Sequence, residues 1–98
     1  MSAYVIANYR ITHQEGYDAY LASVGPTLGP FGGELLVADF SSEAVEGSPS
    51  DVSIVVRFPD MPAARDWYDS DGYRAVRELR QQNTEGFVLL ADGVPAAE

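Results

Sequence analysis

The stretch Arg65–Arg80, RDWYDSDGYRAVRELR, gathers the only tryptophan, two of the six tyrosines and four of the six arginines. Residues of these types make two kinds of site. Aromatic rings wall an apolar pocket, and a guanidinium grips a carboxylate or phosphate through paired hydrogen bonds. Tyr73, Arg77 and Arg80 share one side of a helix by their spacing. That side lies off the apolar stripe Gly72, Ala75, Val76 and Leu79. The expectation is an exposed face whose arginines pair with Asp71, Glu78 and Glu85, with an anion site as the alternative. Trp67 and Tyr73 are expected mainly as core anchors at a helix break, and a pocket wall is their other possible role. Tyr20 is read the same way, with a hydroxyl that needs a partner once covered.

His13 is the one side chain whose ordinary pKa lies near neutrality. It stands where the first strand meets the first helix, at the mouth of any cleft between them, with Glu15 and Asp18 close in sequence. A general base needs a pocket and an orienting carboxylate. With no partner at catalytic spacing, the surface reading of His13 is preferred. Asn8 and Arg57 are polar residues inside apolar strands, on the same side as Tyr4. Both readings of them, an interface network or a ligand contact, require burial, and Asp39 and Asp92 are the candidate counter-ions.

Local patterns supply the elements that hold these residues. AYVIANYRI (Ala3–Ile11) is β-branched and aromatic and predicts a strand. Thr12 and Glu15 fit a capping box, followed by a helix whose apolar face is Tyr17, Tyr20, Leu21, Val24 and Leu28. Pro26 predicts a kink or restart, and Gly32 or Gly33 a helix end with positive φ. Glu34–Phe40, Val52–Phe58 and Thr84–Gly93 read as further strands, with a short possible strand at Ala44–Glu46. The near-continuous apolar run in Val52–Phe58 predicts cover on both faces. Asp60 caps a helix carrying Met61, Ala64, Trp67 and Tyr68, and Ser70 caps a second one. Val94–Glu98 reads as a frayed tail.

The order is β-α-β-β-α-β, with the second helix broken in two. It predicts an α+β, ferredoxin-like domain over residues 1–98, with a four-stranded antiparallel sheet and helices on one face. Two helical segments cover only one face. Yet each strand alternates with apolar residues on both sides, as in Ile6, Val55 and Leu89 against Val5, Val56 and Leu90. A homodimer packed sheet to sheet is the expected solution, since an exposed patch of that extent is rare on a monomer.

Bulk composition narrows the functions. Fifteen acids against six bases give a net charge of −9. Such a chain is repelled by nucleic-acid backbones and anionic membranes, so neither is expected as a partner. No cysteine and a single histidine exclude thiolate chemistry and a multi-histidine metal site. GPFGG precedes a strand rather than a helix, which fails the context of a dinucleotide loop. Haem would have only His13 as axial ligand, so no cofactor is expected. The start of the chain lacks the pattern of a signal peptide, and a cytoplasmic location is expected.

The segments AYVIANYRIT, YDAYLASVGPTLGPFGGELLV, VEG and VVRFPDMPAARDWYDSDGYRAVRELR resemble the domain of unknown function 1330 family. The most specific part is F-P-x-M-x-A-A-x-x-W-Y-x-S-x-x-Y, from Phe58 to Tyr73. Arg57 stands where the family often carries an acidic residue, Asp71-Gly72 where it often has Pro-Glu, and Ser48-Pro49 where an aromatic usually follows Glu-Gly. The resemblance implies a dimeric α+β barrel. It implies no single reaction, since relatives of that fold include cofactor-free monooxygenases, muconolactone-type isomerases and haem enzymes.

Together these readings predict a pocket between sheet and helices for a small apolar or anionic metabolite. Tyr4, Asn8, Tyr20, Arg57, Trp67 and Tyr73 are its candidate residues, with His13 at the mouth. Whether the protein turns a ligand over stays open at this level. The alternative is a non-catalytic structural or interaction module. A cavity of ~300 Å³ or more with converging polar groups is the feature that would separate the two.

Overall fold

The computed structural model describes residues 1–95, so residues 96–98 of the expected tail lie outside it. The elements run β1 (Ala3–Ile11), α1 (Gln14–Leu28), a 3-10 turn (Gly29–Phe31), β2 (Glu34–Asp39), β3 (Val52–Phe58), α2 (Met61–Asp69), α3 (Asp71–Asn83) and β4 (Thr84–Asp92). The sheet is antiparallel in the order β2-β3-β1-β4, the ferredoxin-like arrangement. The protein is a slab whose Cα extents are 36 × 35 × 15 Å, one sheet and one layer of helices.

Alternation sorts the sheet into two faces. Ala3, Val5, Ala7 and Tyr9 are buried beneath the helices, together with Val52, Val56 and Phe58 of β3. The register carries this face across the strands: Ala38, Ile54, Ala7 and Val88 form one row, and Leu35, Val56, Val5 and Leu90 another. The opposite face carries the apolar row Val37, Val55, Ile6 and Leu89, and none of these is buried. Within one protomer β3 is therefore covered on one side only. On the outer side Val55 is half-buried and Arg57 is exposed.

The two caps expected after β3 form. Asp60 accepts from the Ala63 amide at 2.9 Å, and the Ser70 hydroxyl accepts from the Tyr73 amide at 3.2 Å. The Ser70 hydroxyl also donates to the Trp67 carbonyl at 2.7 Å, so one residue ends α2 and opens α3. The Thr12–Glu15 capping box does not form. The Thr12 amide is drawn to the Asn83 carbonyl at 2.8 Å, and His13 takes the N-cap position without a side-chain bond. Helix α1 runs through Pro26 without restarting; the carbonyl that proline leaves unpaired is that of Ala22, an exposed residue where solvent can take the missing partner's place. The break comes at Gly29, and Gly32 at φ 73° closes the turn by donating to the Gly29 carbonyl. No strand forms at Ala44–Glu46, where Val45 is exposed.

Gly86 marks a second backbone requirement. A Cβ there would stand 2.3 Å from the Asn8 carbonyl oxygen, so β4 approaches β1 at a distance only glycine permits.

The buried side of α3 differs from the expected stripe. Gly72 and Ala75 are exposed, while Tyr73 and Arg80 are buried and Val76 and Leu79 are half-buried. Small residues remove little apolar area from water, and turning the helix to cover Tyr73 removes far more. Helix α2 lies close over β1, β3 and β4. Helix α1 makes its close backbone approach to α3 instead and stands off from the strands. Tyr17 and Tyr20, both buried, project into the gap it leaves.

Candidate functional site

The gap between α1 and the sheet contains a cavity of about 210 Å³. Its floor is Val5, Ala7, Ile54, Val56 and Val88; its roof is Tyr17, Tyr20, Val24 and Leu28; one end is closed by Trp67, Tyr73 and Arg80. Leu21, Leu35, Ala38 and Phe40 also line it and are exposed, so the mouth lies between α1 and the β2 edge. The volume is below the expected ~300 Å³ and nearer to that of a single-ring ligand, since an apolar cavity of about 150 Å³ accepts benzene.

The polar groups of the wall are phenols and one guanidinium. The Tyr9 and Tyr17 hydroxyls meet at 2.6 Å, and those of Tyr20 and Tyr73 at 2.9 Å. The Tyr73 oxygen also accepts from Arg80 Nε at 3.3 Å. The Trp67 ring stacks on Tyr73 with centroids 3.9 Å apart, and its Nε1 donates to the Thr27 hydroxyl at 3.0 Å. Tyr9 is held above the ordinary phenol pKa first by burial, then by its bond to Tyr17. Burial likewise raises Tyr17, although the bond from Tyr9 pulls it the other way, and burial with the neighbouring Tyr73 raises Tyr20. These three phenols are neutral near pH 7, where they share hydrogen bonds without supplying negative charge.

The sheet divides the residues proposed from sequence. Tyr20, Trp67 and Tyr73 meet at the cavity. Tyr4, Asn8 and Arg57 lie on the other face, because they alternate with the buried Val5, Ala7, Val56 and Phe58. They line no sheet–helix cavity. Asn8 is committed to the loop before β3: its Nδ2 donates to the Ser50 and Val52 carbonyls at 3.0 Å each, and its Oδ1 accepts from the Ser50 amide at 2.8 Å. Arg57 pairs at 2.6 Å with Glu34, its cross-strand neighbour, rather than with Asp39 or Asp92, and both side chains are exposed. Tyr4 and Arg57 border a separate, more open pocket of about 410 Å³ with Glu34 and Pro59, outside the space between sheet and helices. His13 is exposed at the start of α1, with the Thr12 hydroxyl at 3.3 Å from its Nδ1, and Asp18 is taken by Gln14.

The exposed-arginine reading of α3 is corrected at Arg80, which is buried, and in part at Arg77, which lies 4.6 Å over the Tyr68 ring and donates to the Tyr68 carbonyl. Two further residues of the site, Tyr9 and Tyr17, lie outside the candidates that the sequence suggests. Their signals were present: Tyr9 continues the alternation of Val5 and Ala7, and Tyr17 precedes Tyr20 by one helical turn.

The family model described as Domain of unknown function (DUF1330) matches residues 2–94. The chain belongs to that family. No curated protein matches it significantly. Among solved structures, this DUF1330 chain is similar to RPA0582, a protein of unknown function from Rhodopseudomonas palustris. That likeness has a TM-score of 0.79 at 16% identity, over 95% of this chain and 82% of the other. It is also similar to SnoaB, a cofactor-independent oxygenase from Streptomyces nogalater, with a TM-score of 0.66 at 8% identity over 95% and 93% of the two chains. Rv0793 from Mycobacterium tuberculosis gives a TM-score of 0.59 at 16% identity over the full length of both. These likenesses establish the fold that DUF1330 gives this chain. Among the described residues no helix is long and apolar enough to cross a membrane, and no cluster of His, Cys, Asp or Glu could hold a metal ion.

Proposed function

We propose that the protein is a homodimer of protomers packed sheet to sheet, each holding one small, largely apolar molecule between α1 and the sheet. The observation that carries the ligand reading is the stand-off of α1, which keeps a cavity of about 210 Å³ open to solvent beside the β2 edge. A site walled by aliphatic and aromatic side chains, with a few polar groups at one end, matches the general form of small-molecule pockets. The apolar row Val37, Val55, Ile6 and Leu89 supports the dimer, since nothing in the protomer covers it. The similar fold of SnoaB, a cofactor-independent oxygenase, supports the idea that such a scaffold can carry chemistry without a cofactor.

One observation favours the second reading, a packing module without a ligand. The Tyr9–Tyr17, Tyr20–Tyr73 and Trp67–Thr27 bonds satisfy those wall groups without any bound molecule. Calorimetry with benzyl alcohol and with benzoate separates the two, with Ala38→Trp as the variant that fills the mouth. The ligand reading expects at least one probe to bind the wild type and to raise its melting temperature, with both effects lost in A38W. A ligand at a hundred times its Kd stabilises by about 2.7 kcal/mol. No binding by either probe would leave the packing module.

A further inference from the structure

Arg80 is the one buried charged residue among those described, with 8% of its surface exposed. A guanidinium stays protonated at every pH of interest. Burying it without a counter-charge is costly, so a buried arginine is ordinarily paired. This chain has fifteen acidic residues. None among the described residues pairs with Arg80, while Arg10 and Arg57 on the surface each take a glutamate at 2.6 Å. The hydroxyl nearest Arg80 is that of Tyr73, itself bonded to Tyr20, and neither side chain is a carboxylate.

Its donors are only partly used. Nε bonds to the Tyr73 hydroxyl, and the two Nη nitrogens have no hydrogen-bond partner among the described residues. No fully enclosed polar side-chain atom is left without a partner, so these nitrogens retain access to open space. Arg80 is a wall residue both of the cavity and of a neighbouring depression bounded by Tyr68, Gln81 and Thr84, so both lie beside its side chain. A planar fork with two free nitrogens is the donor set that a carboxylate accepts from.

We propose that Arg80 is the anion-binding group of the cavity, and that the ligand is a carboxylate carried on a single ring or an apolar group of similar size. The inference rests on the cavity reading above and adds the charge of the ligand to it. An apolar tail lies against Val5, Val56 and Trp67, and the carboxylate accepts from the Nη nitrogens. The same assignment explains why a position two turns from Tyr73 on the covered side of α3 holds a cation, where methionine would fill similar space without charge.

Isothermal titration of the wild type and of Arg80→Met with benzoate and with benzyl alcohol tests it, at low salt and neutral pH. The wild type is expected to prefer benzoate by about ten- to a hundredfold, the effect of a charge-assisted hydrogen bond. R80M is expected to lose that preference, binding benzoate no more tightly than benzyl alcohol. Equal affinity of the wild type for the two probes overturns the role of Arg80 and leaves the cavity reading standing. A preference that survives in R80M likewise overturns the role of Arg80. Binding of neither probe overturns both readings. Should R80M fail to fold, the wild-type comparison decides alone.

Discussion

The Tyr9 and Tyr17 hydroxyls lie 2.6 Å apart, joining the middle of the sheet to α1 across the gap that holds the cavity. Their rings meet edge to face at 5.7 Å, so the contact is both polar and aromatic. Either phenol alone would be stranded in a nearly dry setting. Tyr9→Phe and Tyr17→Phe are each expected to cost ~1–3 kcal/mol, the penalty for leaving a buried partner unpaired. The double variant should cost less than the two singles together, because it leaves no orphan. Urea unfolding of the four proteins measures this, and strict additivity would show that the two hydroxyls do not depend on each other.

Trp67 is both core and cavity wall, and its two contacts can be separated. Trp67→Ala is expected to lose ~3–5 kcal/mol, as for other large aromatic truncations in cores. Trp67→Phe keeps a ring against Tyr73 but loses the bond to Thr27 and part of the buried indole, for about 1–3 kcal/mol. Thermal and urea denaturation distinguish the two. A stable W67A protein would make this residue a wall and not a core anchor.

Asn8 and His13 are both candidate site residues by sequence, and their structural roles differ. Asn8→Ala removes the bonds that hold Ser50 and Val52, costs ~1–3 kcal/mol and speeds amide exchange at Ser50. His13→Ala touches an exposed cap without a side-chain bond to the helix and should stay within ~0.5 kcal/mol of wild type. A large loss of stability in H13A would contradict its surface placement.

Burial raises the pKa of Tyr9, Tyr17 and Tyr20 above the ordinary phenol value. A raised value means that the fold favours the protonated form. The stability these groups lend is therefore complete below about pH 10, where the unfolded chain's phenols are also protonated, and is lost as pH climbs beyond it. Alkaline titration should show cooperative loss of circular dichroism above about pH 10, with these phenolates appearing in the same step. Gradual ionisation of all the tyrosines in an intact fold would contradict the buried network.

The outward row Val37, Val55, Ile6 and Leu89 crosses all the strands at one level of the register. Light scattering at micromolar concentration should report a dimer for the wild type and a folded monomer for Leu89→Asp, which places a charge in the proposed contact. A wild-type monomer would remove the sheet-to-sheet assembly.

Much of the architecture was legible because it depends on neighbours in the chain. The bounds of β1 and β3 follow from runs of β-branched and aromatic residues. The caps at Asp60 and Ser70 bond to amides three residues on. Such contacts form without regard to what packs against them. The Thr12–Glu15 box was equally local in pattern and still failed, because the Asn83 carbonyl, far along the chain, took the Thr12 amide.

The amino-acid order alone determined that side chains alternate along the strands, and that Tyr73, Arg77 and Arg80 lie together on α3. Tertiary structure decided which side of each element is covered. Periodicity sorts residues into faces; it carries no information on where a neighbouring element will lie. With α3 set against α1, large rings went inward and carried Arg80 with them. With all the helices on one side of the sheet, Asn8 and Arg57 were left on the other. The cavity arises from the same packing, since Tyr17 and Tyr20 hold α1 away from the strands while Trp67 and Tyr73 close one end.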